Sequence, residues 1–354
     1  MMTGRKPKFD PRKILIVLHG SIGDVTRALP LARLLRKGFP KAHLTWSIEP
    51  LSLPLIQGSD AIDEIIVFDR RQPWRTFLPF LARIRAGKFD LVLDLQRHLK
   101  SGLISRCSGA PNRLGFHRND SKEWNWLFNN LHIDAFGENI PKLDHYLKFA
   151  DYLGIDRFPI EWRISLSAAE TAAVAAHLSD VKQSYAVLFV GTRWESKQWF
   201  PHQMAECAEL LRMHYELDTV LLGGQEDRGL AQQAAAQIDG VLNLVGRTSL
   251  REAIGIIEKA KVAIGPDTGL MHIAAAVRTP IVSLWGATDP KRTGPHGFGD
   301  LVIQGRAHCV PCRRRQCPIG RICMQSITIE EIAPKIELAL SRSYADKTHH
   351  VEAV

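Results

Sequence analysis

Short apolar runs, each closed by a turn and followed by residues at helical spacing, recur through the whole chain, and this alternation limits the folds open to it. KILIVL (13–18), HLTWSI (43–48), EIIVFD (64–69) and FDLVLDL (89–95) lie in the first half. YAVLFVG (185–191), DTVLLGG (218–224), VLNLVG (241–246), KVAIG (261–265) and PIVSLWG (280–286) lie in the second, and most of these end in glycine. Runs with so little polar alternation suit strands covered on both faces. Strands separated by helices predict parallel sheets joined by right-handed crossovers. The fold class is therefore α/β, read as two facing Rossmann-like domains whose glycine-ended strands let the backbone approach a ligand at the carboxyl edge of each sheet.

A chain of 354 residues exceeds what one hydrophobic core usually serves. From Gly154 to about Ser184 turn residues mix with a short alanine-rich helix (168–178), after which the strand–helix rhythm begins afresh. The boundary is placed there, giving domains 1–165 and 166–354. Within the first, a helix is expected over 143–153, where Leu143, Tyr146, Leu147 and Ala150 share a face, and another from about Val25, with Pro30 bending or interrupting it.

Charge narrows the partners. Lys and Arg outnumber Asp and Glu 46 to 37, a formal charge of +9, which favours an acidic partner. The basic residues are scattered (Arg70, Arg71, Arg75, Arg83, Arg85, Lys88, Arg97, Lys100) and carry no RNA- or DNA-binding motif, so nucleic acid is not the expected partner. The start, MMTGRKPKFDPRK, has no apolar segment behind it and no stretch is long enough to span a bilayer, so a cytoplasmic protein is expected.

Three loops carry candidate chemistry. Gly20-Ser21-Ile22-Gly23-Asp24 joins a buried strand to a helix. Asp24 is either that helix's N-cap or a general base able to take a hydroxyl proton. Gly265-Pro266-Asp267-Thr268-Gly269-Leu270-Met271-His272 leads into a helix over about 270–277, whose free amides and dipole suit a diphosphate, with Thr268 and Gly269 as contacts. The plainer account has Asp267 and Thr268 as caps and His272 packed on the inner face. Gly191-Thr192-Arg193 runs on to Lys197 and Trp199, and a lysine there either is solvated or neutralises charge on a departing diphosphate.

Together these segments resemble the heptosyltransferase family of the GT-B glycosyltransferases across nearly the whole chain. The resemblance rests on Gly23-Asp24 through Leu29-Pro30, on Asp267 through Ala276 (DTGxxHxAAA), and on Pro280 through Pro295 (PxVxLxGxTxPxxxxP). It implies an inverting transfer of heptose from ADP-heptose to the inner core of lipopolysaccharide, with the acceptor mostly on the first domain and the donor mostly on the second. It further implies Asp24 as base, Lys197 at the leaving phosphate, Thr192, Asp267, Thr268, Gly269 and His272 on the donor side, and Glu226, beside Asp227, at the donor ribose. Gly23, Arg97 and Lys100 fall on the acceptor side; the family often carries glycine where this chain has Arg97, and Arg97 and Lys100 suit acidic sugars or phosphates. No cofactor is implied, and contact with the inner leaflet of the inner membrane would be peripheral. The other readings are transfer from a different nucleotide sugar, a nucleotide-sugar 2-epimerase on the same fold, and a non-catalytic polyanion-binding protein.

Cys309, Cys312, Cys317 and Cys323 form C-x2-C-x4-C-x5-C, apart from Cys107 and Cys207. The four are close enough to bind a zinc or iron–sulfur centre, but the spacing lacks the paired knuckles of a zinc ribbon, and reduced thiols without metal are expected.

Overall fold

The computed structural model describes residues 10–71, 73–137 and 140–348. The chain divides into two compact units, Met1–Ser165 and Leu166–Val354. In the first, β1 (Lys13–Val17), β2 (His43–Ile48), β3 (Glu64–Val67), β4 (Leu91–Asp94), β5 (Asn112–Gly115) and β6 (Leu131–His132) form one parallel sheet in the order β3-β2-β1-β4-β5-β6. Helices α1 (Ile22–Gly38), α2 (Pro73–Ala86), α3 (Leu99–Cys107) and α4 (Lys142–Tyr152) accompany it. Ile14, Leu15, Ile16 and Val17 are fully buried, as expected of a strand covered on both faces.

The second unit repeats the plan. Its helices are α5 (Ala168–His177), α6 (Pro201–Tyr215), α7 (Arg228–Ala235), α8 (Leu250–Lys259), α9 (Gly269–Ala276), α10 (Pro290–Thr293), α11 (Ile322–Gln325) and α12 (Ile329–Thr348). Strands β7 (Tyr185–Phe189), β8 (Asp218–Leu222), β9 (Leu242–Asn243), β10 (Val262–Pro266), β11 (Ile281–Trp285) and β12 (Val302–Gln304) are ordered β12-β11-β10-β7-β8-β9. Counted from the first strand of each unit, both orders are 3-2-1-4-5-6, the doubly wound arrangement that binds nucleotides where the winding reverses. The expected α/β class with two Rossmann-like domains is what the chain forms. The reversal falls between β1 and β4 in one unit and between β7 and β10 in the other.

Helix α1 departs from expectation in two ways. It begins at Ile22, earlier than Val25, and runs through Pro30 to Gly38 without interruption. Proline has no N–H for the carbonyl of Thr26 four residues earlier. The indole N–H of Trp162 donates to that carbonyl instead, at 2.8 Å. The last residues of the first unit thereby supply the bond that Pro30 cannot.

Helices α5 and α8 start with the same device, Ser-x-x-Glu. Ser167 accepts from the Glu170 amide at 3.2 Å while Glu170 accepts from the Ser167 amide at 2.7 Å, and Ser249 and Glu252 do likewise. Arg251 grips both oxygens of Glu170 at 2.8 and 2.9 Å, tying α8 to the start of α5. That guanidinium, with the Ser167 amide, holds the Glu170 carboxyl down at about 2.

Trp162→Phe keeps the ring but leaves the Thr26 carbonyl without its donor, and should cost about 1 kcal/mol in equilibrium denaturation; equal stability would mean that water serves Thr26 as well. Glu170→Gln should also cost about 1 kcal/mol near neutral pH. Because the Glu170 pKa is lowered on folding, its contribution is complete above the ordinary carboxylate range and fades as pH falls toward about 2. Denaturation at neutral pH and near pH 3 should therefore show the gap between the two proteins closing.

Candidate active site

At the reversal point of the first unit, the loops after β1 and β4 are cross-linked. Gln96 accepts from the His19 amide at 3.0 Å and donates to the His19 carbonyl at 2.9 Å. The His19 ring meets the Ser47 hydroxyl at 2.7 Å; burial, assisted by Arg70, pushes its pKa down to about 3, so it stays neutral. Ser52 donates to the Gly20 carbonyl at 3.1 Å. A methyl group on Gly20 would come within 2.8 Å of the Asp24 Cβ, so the loop can lie against Asp24 only with glycine there.

Asp24 is not the N-cap of α1. Ser21 fills that position, and Asp24 is the third helical residue, with Gly23 buried before it. Its Oδ1 takes Arg27 at 2.8 Å and the ammonium of Lys142 from the start of α4, while Oδ2 accepts from the Ser21 hydroxyl at 3.0 Å. The side chain keeps 21% exposure. Desolvation alone would raise its pKa, but Lys142 and then Arg27 outweigh that and hold the carboxyl well below the usual range.

Arg97 follows the buried Asp94 at the end of β4. Asp94 accepts from Asn125 at 2.6 Å, from Asn129 at 3.2 Å and from the Gln96 amide at 3.2 Å; burial raises its pKa against these bonds. The backbone of Arg97 is left-handed, at φ 69°. This is the conformation in which glycine is normal, which accounts for the glycine of the family pattern at this place. The guanidinium instead lies over Phe116 at 5.4 Å and Phe136 at 6.0 Å. Lys100, in the first turn of α3, is exposed.

In the second unit the structure joins two of the predicted loops. Lys197, in a 3-10 turn after β7, pairs with Asp267 after β10 at 2.6 Å and lies 4.4 Å from the Trp194 ring centroid. Both side chains are mostly buried, so Lys197 is not a solvated loop lysine and Asp267 is not a helix cap. Thr288 donates to the same Asp267 oxygen at 2.8 Å. Thr268 is the N-cap of α9 but makes no side-chain capping bond, which leaves the amides from Gly269 onward without that partner. His272 is buried. Thr192 turns its hydroxyl to the Trp194 carbonyl at 2.6 Å.

Glu226 is exposed after β8, whereas Asp227 folds inward. Asp227 accepts from the Gly224 amide at 2.8 Å and lies where a side chain on Gly191 would stand. Burial raises its pKa. Of the two neighbouring carboxylates, Glu226 is thus the one that faces solvent.

The sequence reading missed Lys142, Arg27 and Thr288 as site residues. Thr288 lay within the quoted PxVxLxGxTxP stretch, and Arg27 follows Asp24 by one helical turn. Lys142 had no local signal, being 118 positions from its partner. The cysteine segment is also explained in part. Ser196 donates its amide and hydroxyl to the Arg315 and Arg314 carbonyls, and Glu195 takes the Cys317 amide and Arg321, so residues 314–321 brace the turn that holds Lys197. Among the described residues, no three His, Cys, Asp or Glu side chains are grouped to hold a metal.

Two Rossmann-like domains, each with a carboxylate–lysine pair at its reversal point, make the architecture of the GT-B glycosyltransferases. Residues 78–323 match glycosyltransferase family 9 (heptosyltransferase), and the chain belongs to that family. It is 33% identical to the lipooligosaccharide heptosyltransferase 2 of Haemophilus influenzae over 316 residues, 82% of this chain and 88% of that protein. It is 24% identical to the lipopolysaccharide core heptosyltransferase OpsX of the same organism over 299 residues, 83% and 84% of the two chains. The solved E. coli ADP-heptose lps heptosyltransferase II superposes with a TM-score of 0.75 at 22% identity, covering 94% of this chain and 99% of that one, and so shares the fold.

The strained backbone at Arg97 makes a prediction of unusual sign. Arg97→Ala keeps the left-handed cost and loses the ring contacts, whereas Arg97→Gly relieves the strain, so the glycine variant should be the more stable by about 1 kcal/mol. Urea denaturation of both variants checks this, and an alanine variant at least as stable as the glycine one would contradict it.

Proposed function

We propose that this chain transfers a heptosyl group from ADP-heptose to the core of lipopolysaccharide with inversion at the anomeric carbon. The observation that carries the reading is the Lys197–Asp267–Thr288 cluster beside the uncapped start of α9, in a chain of family 9. The names of the relatives supply donor and acceptor: ADP-heptose for the E. coli enzyme, lipopolysaccharide core for OpsX.

The acceptor hydroxyl attacks the anomeric carbon, the bond from that carbon to the diphosphate oxygen breaks, and ADP departs. Asp24 takes the proton released from the hydroxyl. Lys197 moves its charge from Asp267 toward the departing diphosphate, and the α9 amides at Thr268 and Gly269 share that load. Glu226 accepts from the donor ribose, and Thr192, Asp267 and His272 shape the donor side. Gly23, Arg97 and Lys100 form the acceptor side. The first domain serves the acceptor and the second the donor. Among the described residues no helix is long and apolar enough to cross a membrane, and the proposed acceptor is a membrane lipid. On this reading it is the acceptor that brings the enzyme to the inner leaflet, by peripheral contact from the cytoplasm.

Asp24→Asn tests the base. Asn keeps the shape but cannot take the proton, so transfer from ADP-heptose to deacylated lipopolysaccharide core should fall about a hundredfold to ten-thousandfold. Protection from thermal unfolding by ADP should persist, because the donor domain is untouched. Near-normal transfer by a folded Asn variant would show that the base lies elsewhere.

A further inference from the structure

Helix α3 turns a stripe that is apolar and basic to solvent. Leu99, Leu103 and Arg106 recur at the spacing of one helical face, Lys100 lies beside them, and all four are exposed, while Ser101, Gly102, Ile104 and Ser105 are buried. The 3-10 turn Asn125–Phe128 packs along the edge of this stripe. A methyl group on Gly102 would come within 3.0 Å of the Asn125 amide nitrogen and of the Phe128 ring, so the turn lies this close only because glycine is there. Asn125 also donates to the His98 carbonyl at 2.8 Å and to the Ser101 hydroxyl at 3.1 Å. In a 3-10 turn residues three apart eclipse one another. Asn125 and Phe128 thus face α3 together, and Trp124 and Leu127 turn outward together, at 73% and 60% exposure.

Trp124 is held out by its backbone. Glu123 and Trp124 are consecutive non-glycine residues in the left-handed region, at φ 51° and 56°, where any side chain carries a steric cost. Bonds to the neighbouring loop fix them there. Glu123 accepts from the Leu99 amide and meets the His98 ring, each at 3.2 Å, and the Lys122 amide donates to the Arg97 carbonyl at 2.8 Å. Local strain that puts a tryptophan into water gains the free protein nothing, so it points to a partner that receives the ring.

The charges around the patch say which partner. Lys100, Arg106 and Lys122 are exposed around the four apolar side chains. Leu99–Cys107 and 121–130 contain a single acid, Glu123, and it is already engaged by Leu99 and His98. A second copy of this chain would bring like charges face to face. An anionic bilayer complements every part: tryptophan and leucine settle at the headgroup level, and the cations meet lipid phosphates.

We propose that the face made by Leu99, Leu103, Trp124 and Leu127, rimmed by Lys100, Arg106 and Lys122, docks on the surface of an anionic phospholipid bilayer. Its use rests on the reading of a lipid-borne acceptor. The Lys122–Arg97 bond ties this face to the loop given to that acceptor, so docking brings the loop to the membrane.

Sedimentation with vesicles of phosphatidylethanolamine and phosphatidylglycerol, free of lipopolysaccharide, measures docking by itself, with phosphatidylcholine vesicles as the neutral control. Wild type should bind the anionic vesicles about tenfold or more tightly than the neutral ones, and high salt should remove the difference. Trp124→Ala with Leu127→Ala should weaken that binding about tenfold, and Arg106→Gln with Lys122→Gln by a similar factor. Lipids brominated on the acyl chain should quench part of the wild-type tryptophan emission, and Trp124→Phe should bind nearly as well but lose that part. Because Trp124 and Leu127 lie in solvent, their double alanine variant should melt with wild type and transfer to soluble deacylated core within about twofold of it, while losing about tenfold on the intact lipid acceptor in vesicles. Vesicle binding that is absent in wild type, or unchanged in the double alanine variant, overturns the docking face. Self-association of wild type that the same variant abolishes overturns it too, and assigns the face to a second copy. Should that variant fail to fold, equal quenching of wild type and Trp124→Phe overturns the proposal by itself. Absence of transfer to soluble core by wild type overturns the functional reading instead, and leaves the vesicle result standing.

Discussion

A parallel sheet whose winding reverses once has a single place where neighbouring loops run off in opposite directions, and the two carboxylate–lysine pairs of this chain are built on that constraint. In the first unit the reversal separates the loops after β1 and β4, so the gap between them must be held open and in register. The paired bonds between Gln96 and the backbone of His19 do this at the strand ends. Behind them the buried Asp94, bonded by Asn125 and Asn129, ties the β4 loop to the 3-10 turn at Asn125–Phe128. The cost of burying that carboxylate shows in its raised pKa. In the second unit the reversal brings the β7 and β10 loops together, and there the link is the ion pair of Lys197 and Asp267 itself.

Each unit thus places a lysine on a carboxylate at its reversal point, with different consequences. The Asp267 pair is joined by a hydroxyl from Thr288, and all its members come from loops after strands of one sheet. Asp24 is instead met by a second helix, α4, which carries Lys142 to it. The charges in both are only partly exposed, at 14% and 11% for Lys197 and Asp267 and 25% and 21% for Lys142 and Asp24. Such pairs are bound more firmly than surface pairs, yet are open enough for a ligand to compete.

Much of this could be read from the residues, and the remainder has identifiable physical causes. Buried runs such as KILIV and YAVLF declared themselves because both faces of a central parallel strand are covered. The strands Asn112–Gly115, Leu131–His132 and Val302–Gln304 did not, being short and partly polar and lying toward the sheet edges, where burial no longer demands an apolar run. Pro30 argued against a continuous α1 because the compensating donor, Trp162, is 136 positions away. Asp24 and Lys197 stood out through their loops, but their ion pairs could not, since Lys142 and Asp267 approach only once the sheets exist. Arg97 was noticed as a departure from a glycine, and its left-handed backbone supplies the reason.

The cysteine segment has a structural part that its spacing does not announce. The contacts this stretch makes to the turn at Lys197 run through backbone and arginine. The carbonyls of Arg314 and Arg315 take the Ser196 hydroxyl and amide, and Arg321 lies over Phe200 at 4.2 Å while bonding the Gln198 carbonyl. Cys317 joins through its amide, which donates to Glu195, and its sulfur, which accepts from the Arg321 amide. Cys323 is buried against Gly286, its thiol pushed up in pKa by that burial, which makes it a core residue and a poor nucleophile. The bonds to Glu195, Ser196 and Gln198 converge on the turn 195–198, so the segment acts as the outer support of the position that presents Lys197. A rigid turn matters there because a lysine stem has several free rotors. Fixing its base is what lets the ammonium meet Asp267 at 2.6 Å in one defined geometry.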